Sequence, residues 1–176
     1  MRNPLEFIPV HIRKTLLWAN LAFTLLLAVI FLRINAPLVG PLSPAGIISL
    51  QLAWSVENTQ VILESWDIGI HLIAAFGLGF DYLFMVSYAL TISLALLLAT
   101  EQNKGRFTRL GNWIAWGVII AALLDALENL GQAQEIVYGT IASWPPVIAV
   151  FATLKFILLF LGLSFVLFGL AKHRTG

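Results

Sequence analysis

The chain contains no cysteine. That excludes a disulfide relay, thiolate metal sites and a cysteine nucleophile. Charge is almost as scarce: only 11% of the 176 residues are Asp, Glu, Lys or Arg, where a soluble domain carries about 25%. The net charge of +1 leaves no basic surplus for nucleic acid. There is no Asn-x-Ser/Thr sequon, and no H-E-x-x-H, G-x-S-x-G or Walker motif. Paired intramembrane histidines for axial haem ligation are also lacking, and nothing in the sequence asks for a cofactor.

What is present is apolar. The chain is 60% hydrophobic with a mean hydropathy of +0.92, the composition of an integral membrane protein. The length suits one membrane domain over residues 1–176. The expected fold is an all-α, four-transmembrane-helix bundle. The spans fall at about 15–33, 71–99, 112–138 and 146–171, each meeting the ~17–25 residues that a spanning helix needs. A cleaved signal peptide at span one is disfavoured, because Arg33-Ile34-Asn35-Ala36 is not a small-x-small cleavage site.

Basic residues set the expected orientation. Arg2, Arg13 and Lys14 precede span one, Lys104, Arg106 and Arg109 separate spans two and three, and Lys172 and Arg174 follow span four. The segments after spans one and three carry Glu57, Glu64, Asp67 and Glu135 and almost no basic residue. The positive-inside rule then places both termini in the cytoplasm. Trp18, Trp113 and Trp116 would mark the inner interface, and Trp54, Trp66 and Trp144 the outer one.

The outer segment, residues 34–70, is too long for a bare loop. Ser43-Pro44 looks like an N-cap opening a short helix over Ala45–Trp54. Ser55 looks like the cap of a second near Val56–Trp66, with Glu57 in its first turn. The favoured reading is one or two interfacial helices on the extracytoplasmic side, held by Trp54 and Trp66. A lid over an enclosed cavity is the alternative. Gly69 is expected to interrupt the helical run between Glu64 and His71. A metal site from Glu64, Asp67 and His71 is therefore set aside in favour of an ordinary surface.

Four charges interrupt the spans: Asp81, Asp125, Glu128 and Lys155. Each would cost roughly 2.5–3.5 kcal/mol facing lipid at the bilayer centre, so they are expected to face one another, a cavity or a partner. Helical rise puts Asp81 ~15 Å, Asp125 ~20 Å and Lys155 ~14 Å below the outer ends of their spans, with Glu128 about one turn above Asp125. This gathers them at similar depth on three helices. Asp125, Glu128, Asn129, Gln132 and Glu135 recur at spacings of three and four and share one stripe. The small residues Ala74, Gly77, Ala121, Gly117, Ala152 and Gly162 continue the charged stripes and permit close helix approach. Span one offers only Asn20 and Thr24 and reads as a packing helix.

Three carboxylates face one ammonium in that layer. A proton, a bound cation, an amine or Arg33 must make up the difference. The expected function is binding or translocation of a proton, cation or amine-bearing amphiphile at a cluster opening towards the extracytoplasmic side. Asp81, Asp125 and Glu128 would take the charge, Lys155 would balance it, and Asn129 and Gln132 would orient the ligand. One alternative is a structural or accessory subunit of a larger membrane complex, with the charges as register glue. Another is a lipid-acting enzyme using paired carboxylates, although no nucleophile or metal triad can be named for it. The partners that fit are membrane lipid, a second copy of the chain, or a larger membrane complex.

Overall fold

The computed structural model describes residues 2–101 and 105–175, with side chains described as far as Gly169. Lys104 lies outside the described residues, as do the side chains of Lys172 and Arg174. The described chain is helical: α1 (Val10–Asn35), α2 (Ile47–Gln51), α3 (Val56–Glu64), α4 (Ile68–Glu101), α5 (Arg106–Tyr138) and α6 (Trp144–Thr175). Among the described residues, α1, α4, α5 and α6 are long and apolar enough to cross a membrane. Each runs a few residues beyond the span expected from hydropathy, because the polar end residues still complete intrahelical hydrogen bonds.

The helix ends follow local chemistry. Asp67 caps α4, its side chain accepting from the Ile70 amide at 2.9 Å. The helix then runs straight through Gly69, so the expected interruption there is wrong: the break falls at Ser65–Asp67. Gly139, at φ 87°, ends α5 in the left-handed conformation and donates its amide to the Glu135 carbonyl at 3.1 Å. Pro145 and Pro146 sit in the first turn of α6, where no amide partner is needed.

The described chain divides into two compact units, the first assembled from three stretches and the second from two. The first comprises residues 1–25, 86–123 and 155–176. In it, Asn20 of α1 donates to the Ser87 carbonyl and to Thr91 Oγ1 of α4, at 2.9 and 2.7 Å. Thr24 Oγ1 meets Ser87 Oγ and Thr91 Oγ1 at 2.7 and 2.8 Å. These polar contacts make the α1 segment a packing element, as its sequence suggested. Arg13 ties down the residues before α1: its guanidinium donates to the carbonyls of Ile8 and Glu6 and pairs with Glu101 at 2.6 Å. Gly162 of α6 lies against Ile92 and Val118, where an added Cβ would come within 3.0 Å of each. Close helix approach explains the small residue there.

The second unit comprises residues 26–85 and 124–154. Its core gathers Leu38, Ile47, Leu50, Ala53, Ile62 and Trp66 from residues 36–67 around Ala74 and Leu78 of α4. The Ser43 hydroxyl does not cap a helix. It donates to the Leu38 carbonyl at 2.6 Å and accepts the Trp66 indole N–H at 3.2 Å. The α2 helix therefore starts later than expected, after Gly46 at φ 62°, and is only five residues long. Asn35, the last residue of α1, accepts from the first α2 amide, that of Ile47, at 2.8 Å. The α3 helix forms where expected. Ser55 caps it, accepting from Asn58 at 3.2 Å. Trp66 was expected to anchor an interface. It is instead buried in this core, 6% exposed, because its N–H finds Ser43 and its rings fill the space beside Leu38.

Candidate polar column and adjoining groove

The polar stripe of α5 is built as its spacing requires. Asp125, Glu128, Asn129, Gln132 and Glu135 are all buried, none more than 3% exposed, while the neighbouring Leu123, Leu127 and Leu130 point outwards. A period of 3.6 residues separates the two faces. Asp81 of α4 is also buried and meets the stripe directly: Asn129 Nδ2 donates to Asp81 Oδ2 at 2.8 Å. One residue along, the Tyr82 hydroxyl donates to the Ala126 carbonyl at 3.0 Å and fixes α4 against α5 at that level. Gln132 Nε2 donates to Glu128 Oε1 at 3.0 Å, one turn back along the same helix.

These contacts orient both amides. Asn129 and Gln132 each give their NH2 group to a carboxylate, so their carbonyl oxygens point elsewhere. Asn129 Oδ1 and Gln132 Oε1 are buried and accept no hydrogen bond from any described residue. Both oxygens of Glu135 share that condition. Buried polar groups are almost always paired, and each unpaired one costs about 1–3 kcal/mol. Here four acceptors on one helix face lack a donor.

Of the residues expected at the site, Asp81, Asp125, Glu128, Asn129 and Gln132 all lie buried in the second unit. Lys155 belongs to the first unit and is also buried, its ammonium 4.8 Å from the Phe156 ring centroid.

Beyond Gln132 the stripe opens into a groove of about 330 Å³. Glu135, Ile136 and Thr140 form its α5 side, and Leu63, Glu64 and Trp66 form its α3 side. His71, in the first turn of α4, completes it and stands edge-on to Trp66 at 6.2 Å between ring centroids. Sequence reasoning missed this groove. It counted Glu64 and His71 as ordinary surface and Trp66 as an interfacial anchor, and followed the α5 stripe to Glu135 without what lies beside it. One signal was available: Glu135 continues the stripe three residues beyond Gln132 and is therefore on the buried face. Among the described residues no three His, Asp or Glu side chains converge to hold a metal ion.

No family model matches the chain, and neither a curated protein nor a solved structure matches it. The functional reading therefore rests on the site.

Proposed function

We propose that the protein is a multi-pass membrane protein that binds or translocates a proton, a cation or an amine-bearing amphiphile along the polar column of α4 and α5. Four membrane-competent helices support the setting. Both termini lie in the cytoplasm, an orientation supported by the basic residues before α1, such as Arg2 and Lys14. The column then ends towards the extracytoplasmic side.

The observation that carries the reading is the surplus of acceptors. A column that served only as structural glue would satisfy itself, since a half-paired network is worse than an apolar core. Here Asn129, Gln132 and Glu135 present four buried oxygens without a donor. Protons, cations and ammonium groups are what such oxygens lack. Asp81, Asp125 and Glu128 hold the charge, and Asn129 and Gln132 orient the ligand.

The test is uptake into proteoliposomes of the full chain, followed for protons with an enclosed pH dye and for sodium with a radioisotope, beside octylamine binding. Wild type takes up at least one of the three. Asp125→Asn loses it with helix content unchanged. Uptake at the wild-type level in folded Asp125→Asn overturns the proposal.

A further inference from the structure

We infer that the groove between α3, the start of α4 and the end of α5 is a binding site for a small organic amine with a hydrocarbon body. Its ammonium sits on Glu135 and its apolar part lies against Leu63, Trp66 and Ile136. The inference rests on the reading above and narrows it from three ligand classes to one.

Four observations converge. Glu135 is 1% exposed, lines the groove, and has both carboxylate oxygens buried without a donor. Thr140 Oγ1, also in the groove, is buried and equally unpartnered. An ammonium has three N–H donors, and these two side chains carry three acceptors that no described residue satisfies and that a side-chain rotation would bring to the groove. Glu64 stands at the same groove and, among the described residues, no Lys or Arg lines it, so the field there favours a cation.

Size and lining decide between cations. A proton needs no space, and a water-sized guest occupies only about 30 Å³. The groove holds about 330 Å³, within the range of small-molecule sites. A divalent metal wants several convergent carboxylate or imidazole donors, and no such set forms among the described residues. An aromatic and two aliphatic side chains face the same space, which gives a bare inorganic ion no reason to prefer it. An amine joined to an alkyl chain uses every part of this lining, because a buried charge-assisted hydrogen bond and apolar contact are both satisfied.

The experiment is photolabelling of the full-length protein in phosphatidylcholine nanodiscs, using octylamine bearing a diazirine. Competitors are octylamine, octanol and tetramethylammonium. Labelled peptides are expected to cover residues 60–71 and 135–140. Octylamine protects them, while octanol, with the same chain and no charge, does not, and tetramethylammonium protects weakly. Glu135→Gln weakens octylamine protection by about tenfold or more, the usual worth of one charged hydrogen bond. Gln60→Lys offers a second variant: Gln60 lines the groove but is exposed, so a cation there repels the amine without disturbing the core. Equal protection by octanol, or unchanged protection in both folded variants, overturns the inference. Proton or sodium uptake that is lost in Asp125→Asn, with no saturable octylamine labelling, overturns the inference and leaves the wider reading standing. Octylamine protection that is intact in Asp125→Asn, without any uptake, supports the groove and overturns the wider reading.

Discussion

Glu135 stands at one end of a stripe whose other members hold one another. Asp81 is held by Asn129, and Glu128 by Gln132, so the amide donors of both residues are spent on carboxylates. Replacing Asn129 by leucine keeps the volume and removes the donor to Asp81. We expect a loss of about 1–3 kcal/mol, seen as a lower midpoint of thermal unfolding in detergent, while Asn129→Gln retains part of it. An unchanged midpoint in Asn129→Leu would show that the contact contributes nothing. The stripe itself was legible in the sequence, because a spacing of three and four assigns a face without knowledge of the neighbours. What covers each end of that face was not. Glu135 reads as the last member of the stripe, but its spacing does not show that Trp66 and Leu63 stand beside it. Trp66 in turn reads as an interfacial anchor until Ser43 is found to take its N–H.

At the scale of elements, the long helices were legible and the short ones only in part. Apolar runs of this length leave no alternative to a helix, and Ser55 announced α3 by its side chain alone. The start of α2 was not legible, since its first amide is satisfied by Asn35, twelve residues earlier in the chain. Local pattern pointed to Ser43, whose hydroxyl is already committed to Leu38. The glycine that makes this junction work is Gly46. Its φ of 62° is disfavoured for any residue with a side chain, and an added Cβ would collide with the Asn35 amide. Gly46→Ala should therefore cost at least about 1–3 kcal/mol and loosen α2 from α1. Faster hydrogen exchange at the Ile47 amide would report it. Protection at the wild-type level would mean that the Asn35 contact is dispensable.

At the scale of the whole molecule, orientation decides which compartment the groove serves. The lack of cysteine makes this direct to measure, since any introduced thiol is the only one. Glu57 at the start of α3 and Glu6 ahead of α1 are both exposed. Glu57→Cys in intact cells is expected to react with a membrane-impermeant maleimide, and Glu6→Cys only after permeabilisation. The reverse pattern would turn the groove towards the cytoplasm. Composition revealed the number of long helices, but not that residues 36–67 fold into a core of their own with α4. That core has a kinetic consequence. Asn35 fastens the start of α2, and the Trp66–Ser43–Leu38 chain fastens the end of the segment, so hydrogen bonds staple the wall of the groove at both ends. A guest would then enter at a rate set by its own concentration and by side-chain rotation, on the nanosecond scale, with no slower opening step to wait for.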